Sequence, residues 1–252
     1  MKLGMQGKVA LVTGGARDVG REIAMALAAE GAAVAVNFNS SEEEAALVVG
    51  EIRAHGGRAA AFRADVTDYG QVRSMVADVV HDLGGLDILV NNAGFVMRQR
   101  FLDTTEEDWR RQIDVGLYGV IHCCHAAGEH LAARGGGRIV SLCGDSARVG
   151  ESGLAITAAS RGGVIALTKS LAREFGRAGV TVNALALGLV ETSHTDSEWL
   201  ESNRDKITRL YPLRRLGQPS DIAPMVAFLA SEHASWITGQ ILSVNGGFSM
   251  VG

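Results

Sequence analysis

Short apolar runs alternate with longer helical stretches from one end of this chain to the other, and that rhythm constrains the fold more than any single residue. Strands are expected over Val9–Val12, Ala33–Asn37, Ala60–Arg63, Ile88–Val90, Arg138–Leu142, Thr181–Ala186 and Ile241–Val244. They are rich in Val, Ile, Leu and Ala with little polar alternation, as strands covered on both faces must be. Helices are expected over Gly20–Ala29, Glu42–Ala54, Gln71–Leu83, Trp109–Ala133, Ile156–Phe175 and Ile222–Ala230. Ser41 with Glu44, and Thr104 with Glu107, have capping-box spacing at two of the helix starts. Repeated strand–helix units with right-handed crossovers build a parallel sheet with helices on both faces. The reading is an α/β chain forming a single doubly wound domain over residues 1–252, with a seven-stranded parallel sheet. One polar stretch, 187–218, breaks the rhythm where such folds carry a lid over the ligand.

Composition narrows the partners. The chain has 252 residues, long enough for a substantial core, with 47% hydrophobic and 21% charged residues. A net charge of −4 gives no attraction to nucleic acid or to an anionic membrane. No window is apolar enough to span a bilayer, and Met1-Lys-Leu-Gly-Met-Gln lacks the apolar stretch of a signal peptide, so a cytoplasmic location is expected. The three cysteines suit a reducing compartment. His122-Cys-Cys-His125 has the composition of a metal site, but consecutive helical side chains point about 100° apart and would not converge on one ion. Packing is the expected role, and no metal is expected.

Chemistry begins at Thr13-Gly-Gly-Ala-Arg-Asp-Val-Gly20. Gly14, Gly15 and Gly20 lie directly after a strand and open a helix, where backbone N–H groups and the positive helix end favour a pyrophosphate. Strand two ends in Asn37-Phe-Asn-Ser-Ser41, with no acidic residue to hold ribose hydroxyls. Arg17, Asn37 and Ser40 are instead suited to a 2′-phosphate, so NADP is favoured over NAD.

From Lys8 to Phe248 the chain resembles the short-chain dehydrogenase/reductases, of the acyl-carrier-protein ketoreductase type, which are Rossmann-type proteins. The resemblance rests on the glycine loop, on Asp65-Val66, on Asn91-Asn-Ala-Gly94 and on the ending Trp236-Ile-Thr-Gly-Gln-Ile-Leu-Ser-Val-Asn-Gly-Gly-Phe248. It implies cofactor contacts at Gly14, Arg17, Asp18, Val19, Gly20, Asp65, Val66, Asn92, Ala93 and Gly94. It also implies contacts at Arg161, Gly188 and Thr192. Asp18 stands where the family's middle glycine belongs; it is read either as a cap for a helix starting near Val19 or as a charge that repels the phosphates.

The same resemblance implies a catalytic Asn-Ser-Tyr-Lys set, and here those positions fall on Gly116, Gly144, Thr157 and Arg161. A threonine alcohol is far less acidic than a phenol, arginine keeps its proton, and glycine supplies no side chain. No catalytic residue is therefore expected in the usual sense. Asp145 is the foremost substitute, with Ser141, Ser146 and Ser152 nearby; Tyr118 is expected to pack with Leu117 and Ile121, and Arg98 and Arg100 to be solvated. Three readings follow. The leading one is a non-catalytic subunit of a hetero-oligomeric oxidoreductase, paired with an intact paralogue in a mixed dimer or tetramer; the resemblance implies association, as a homo- or hetero-oligomer, through Trp109–Ala133 and Ile156–Phe175. The second is an NADP-dependent ketoreductase with an unorthodox proton donor, such as bound water or Asp145. The third is a redox-neutral lyase, cyclase or dehalogenase.

Overall fold

The computed structural model describes residues 3–251 apart from His194 and Asp196. Met1 and Lys2, part of the segment inspected for a leader, lie outside the described residues, as do two positions of the 187–218 stretch. Seven strands form one parallel sheet in the order β3-β2-β1-β4-β5-β6-β7. They are β1 (Val9–Val12), β2 (Ala33–Phe38), β3 (Ala59–Arg63), β4 (Ile88–Asn91), β5 (Arg138–Gly144), β6 (Thr181–Leu187) and β7 (Ile241–Val244). Every expected strand forms, most of them one or two residues longer than its apolar run.

The helices are α1 (Asp18–Ala29), α2 (Glu42–Ala54), α3 (Tyr69–Leu83), α4 (Glu106–Ile113), α5 (Gly119–Ala133), α6 (Ser146–Val149), α7 (Ala155–Phe175), α8 (Ser197–Thr208) and α9 (Pro219–Ala230). Alternation along β1 explains the two layers. Ala10 and Val12 enter the core shared with α1, α2 and α9, whereas Val9 and Leu11 enter the core shared with α3, α5 and α7. Both sets are buried, which is why the strand reads as continuously apolar.

Several local expectations need correction. The single helix expected over Trp109–Ala133 starts at Glu106 and is interrupted by a π-type turn at Asp114–Tyr118. The capping box at its start is Thr105 with Asp108, one residue beyond the Thr104–Glu107 pair, and Ser41 makes no side-chain cap. Tyr118 is exposed against His122 instead of packing with Leu117 and Ile121. The 187–218 stretch is not irregular throughout, because α8 occupies its middle and packs Leu200 against Tyr211 and Leu216. Cys123 and Cys124 are free and buried, and no metal-ligating group forms among the described residues. Among the described residues no helix is long and apolar enough to cross a membrane.

Candidate functional site

The sheet order reverses between β1 and β4, and crevices at such switch points, beyond the carboxyl ends of the strands, are where open α/β sheets bind ligands. A large cleft opens there, of about 1710 Å³, against the roughly 300–1,000 Å³ typical of a small-molecule pocket. The glycine loop, the 92–94 turn, the end of β5, α7 and the 187–218 stretch all contribute to its walls.

The nucleotide end is built from backbone held at close quarters. Gly14 has φ +59°, and a Cβ on Gly20 would lie 2.1 Å from Gly14 O, so the loop closes only because residue 20 has no side chain. Asn92 Nδ2 donates to Thr13 O and Gly14 O, each at 3.0 Å, while Thr13 Oγ1 accepts from the N–H groups of Asn92 and Ala93. The 92–94 turn is thereby tied to the glycine loop. Such a cradle fits a pyrophosphate, which needs bare backbone and a helix N-terminus at contact distance.

Two expected cofactor residues behave differently from their sequence reading. Asn37 is buried: its Oδ1 accepts from Gly14 N at 3.2 Å and its Nδ2 donates to Phe38 O, Phe62 O and Ala64 O. It braces the loop from beneath and has no donor left for a 2′-phosphate. Asp18 is the first residue of α1, with Arg17 at the cap position, and it lines the cleft. It takes a left-handed φ of +49°, a conformation glycine adopts freely, and its carboxylate accepts from Ser193 N at 2.7 Å and Ser193 Oγ at 2.8 Å. This clasp joins the glycine loop to the 187–218 stretch.

The remaining expected contacts line the cleft. Arg17 reaches Glu44 at 3.9 Å, beside exposed Ser40. Asp65 accepts from Thr67 and Asn39, the neighbouring Val66 O accepts a hydrogen bond from His122, and Thr192 is held by Thr195. Val19 and Gly188 also line it, and a Cβ on Gly188 would meet the Tyr211 ring at 2.9 Å.

At the chemical end, the four family positions have been repacked rather than hollowed. A Cβ on Gly116 would sit 2.5 Å from Ser160 Oγ, so Ser160 occupies the room an asparagine would need. Thr157 Oγ1 donates to Gln112 Oε1 at 2.6 Å and is not a free acid. Arg161 is buried; its Nη1 donates to Leu142 O at 2.9 Å, and its Nη2 lies where a Cβ on Gly94 would come within 2.2 Å. Burial pushes the Arg161 pKa down from its ordinary value. At Gly144 the gap is shallow: Ser146 Oγ lies 3.4 Å from the place of the missing Cβ and lines the cleft. Asp145 is buried beside it, with one carboxylate oxygen accepting from the Asn245 amide and Oδ1 enclosed without a partner.

Sequence reading missed the aromatic and ionic far wall. Tyr211 is buried and stacks on Phe248; its hydroxyl accepts from Leu189 N at 2.8 Å, and burial raises its pKa. Arg98, expected to be solvated, pairs with Glu151 and lies over the Trp199 ring, whereas Arg100 is exposed near Asp103. The polar content of 187–218 concealed this wall, since Trp199 and Tyr211 are isolated aromatics in the sequence.

A parallel sheet of this order with a glycine-loop cleft at its switch point defines a doubly wound, Rossmann-type fold. Residues 14–249 match the family model described as enoyl-(acyl carrier protein) reductase. Over 243 residues, the chain is 44% identical to the 3-oxoacyl-[acyl-carrier-protein] reductase FabG of Staphylococcus aureus, covering 96% of this chain and 98% of that one. A 3-oxoacyl-[acyl-carrier-protein] reductase of Synechocystis is 38% identical over 244 residues, covering 96% and 97%. Among solved structures, a dehydrogenase/reductase from Sinorhizobium meliloti superposes with a TM-score of 0.92 at 36% identity, covering 99% and 98% of the two chains. A short-chain dehydrogenase/reductase from Serratia marcescens gives 0.91 at 36% identity, covering 98% and 99%. The chain belongs to the short-chain dehydrogenase/reductase family.

These relatives overturn the expectation of a silent subunit paired with a paralogue. Proteins that share 44% of its residues over nearly its whole length are named as reductases, and nothing in the comparisons points to a non-catalytic chain. At the four family positions, Ser160 takes up the room beside Gly116, Thr157 is bonded to Gln112, Arg161 lies against Gly94, and Gly144 leaves a gap next to Ser146.

Proposed function

We propose that this chain is an NADP(H)-dependent reductase of carbonyl compounds related to 3-oxoacyl groups, working without the usual phenol. The observation that carries the reading is Ser146, a residue of the cleft wall whose Oγ lies 3.4 Å from the missing Cβ of Gly144, placed to hold a substrate oxygen. Support also comes from the reductase names of relatives at 44% and 38% identity.

Bound in the cradle, NADPH would supply the hydride that adds to the carbonyl carbon. Gly14, Val19, Gly20 and the 92–94 turn would hold the pyrophosphate and ribose, with Asp65 and Val66 at the adenine and Arg17 and Ser40 at the 2′-phosphate. Gly188 and Thr192 would cover the nicotinamide end. Ser146 orients the carbonyl oxygen, and the proton that completes the alcohol comes from Asp145 or from water beside it. Asp145 suits this role because Oδ1 has no internal partner and Asn245 fixes the opposite oxygen. A preorganised donor at the substrate oxygen contributes about 10²–10³-fold, and a positioned acid about 10²–10⁴-fold. Association into a dimer or tetramer through α5 and α7 belongs to the same proposal, as does a cytoplasmic location.

The test is consumption of NADPH with acetoacetyl thioesters and small ketones, alongside calorimetric titration of NADPH and NADH. Saturable NADPH binding with turnover supports the reading, and neither binding nor turnover removes it. Ser146→Ala should lower kcat/KM with cofactor affinity unchanged. Loss of rate in Asp145→Asn assigns the proton to that carboxyl, whereas an unchanged rate assigns it to water.

A further inference from the structure

Of the other arginines lining the cleft, Arg17 faces Glu44, Arg98 faces Glu151 and Arg100 faces Asp103, while Arg111 lies over the Phe95 ring, 4.0 Å from its centroid. Arg161 is 8% exposed, it makes no ion pair among the described residues, and its one hydrogen bond is from Nη1 to Leu142 O. A guanidinium cannot shed its charge to escape burial, so an isolated one is costly unless an anion joins it. Nearby Asp145 does not serve, because its bonded oxygen is taken by Asn245 and no hydrogen bond links it to Arg161.

The shape of the wall points the same way. Nη2 lies over the bare backbone of Gly94, which makes room for the guanidinium at the cleft. Thr157, also on this wall, is short and turns its hydroxyl to Gln112, and Gly144 adds no side chain. Arg161, Thr157 and Gly144 line the same cleft as Ser146 and Asp145, the residues assigned to the reacting carbonyl. We infer that Arg161 is the receptor for a free carboxylate carried by the substrate, making this chain a reductase of oxo acids rather than only of neutral thioesters. The guanidinium fork matches a carboxylate with two parallel N–H···O bonds, which a lysine at this position would not provide. This identification of the substrate rests on the reductive reading, whereas carboxylate binding can be measured without turnover.

Two measurements test it on the full chain with NADPH present. The first compares kcat/KM for 3-oxobutanoate with that for its neutral methyl ester. The second titrates malonate, an unreactive dicarboxylate, by calorimetry into wild type, Arg161→Gln and Arg161→Lys. Wild type should favour the acid over the ester by on the order of tenfold or more, the scale of one charge-assisted contact. Arg161→Gln should abolish that preference and weaken malonate at least as much. Arg161→Lys, which keeps a charge and guards against misfolding of the glutamine variant, should fall between them. Equal use of acid and ester, with no saturable malonate binding, overturns the proposal. So does an Arg161→Gln protein that loses NADPH affinity but keeps malonate binding, which would assign Arg161 to the cofactor alone. Arg161-dependent malonate binding without turnover of any ketone would uphold the carboxylate receptor and remove the reductase reading.

Discussion

Restoring the family asparagine, Gly116→Asn, is expected to destabilise this protein, although it returns the position to the family pattern. The new Cβ would lie 2.5 Å from Ser160 Oγ and 3.6 Å from Ser160 Cβ, so the conflict is with one atom. Ser160 is itself buried, with Oγ donating to Gln112 O at 3.4 Å, and cannot swing into solvent. Overpacking of this kind costs about 1–3 kcal/mol, offset by roughly 0.5 kcal/mol from removing a helical glycine. At about 2–4 °C per kcal/mol for a domain of this size, Tm should fall by roughly 1–10 °C. Ser160→Ala removes the opposing oxygen and leaves only the 3.6 Å contact, so the double variant should recover most of the loss. The coupling energy should be about 1–2 kcal/mol. Thermal and urea unfolding of the two singles and the double read all three values. An unchanged Tm in Gly116→Asn, or strictly additive effects in the double, would refute the idea that Ser160 fills the vacated site.

Other outcomes follow from the same geometry. Gly20→Ala should abolish NADPH binding in a calorimetric titration, since its Cβ would press to 2.1 Å on Gly14 O and force the loop open. Asp18→Ala removes both hydrogen bonds to Ser193, and limited proteolysis should cut the 187–218 stretch several-fold faster, with retained protection counting against the clasp. The Asp221 carboxyl is held down to about 2, from an ordinary 3.8, by Arg215 and then by the Gln218 N–H. A depressed folded value contributes stability above pH 4 and loses it as pH falls toward 2, so Asp221→Asn should have a lower urea midpoint at pH 7 and converge on wild type through that window.

The strand–helix rhythm and the glycine loop were legible because they depend on local rules. Apolar runs at both sheet faces, and a turn that tolerates no side chain at residue 20, are written into neighbouring residues. The roles of Asn37, Asp18 and Ser160 were not legible. Asn37 bonds across β2 and β3, Asp18 reaches a partner 175 residues away, and Ser160 matters only because the π-type turn brings Gly116 against α7. The far wall of Trp199, Tyr211 and Phe248 is likewise assembled from separate segments.

Sequence by itself determined the doubly wound sheet, the glycine loop and the replacement of the phenol and ammonium at Thr157 and Arg161. Only the tertiary structure decided what those replacements mean. Hydroxyl, carboxylate and guanidinium groups from α6, the turn before it and α7 line one cleft, and the room left by a lost side chain is defined by atoms distant in the chain. Local pattern specifies which residues can form a strand or a loop; three-dimensional packing specifies which charge is left without a partner.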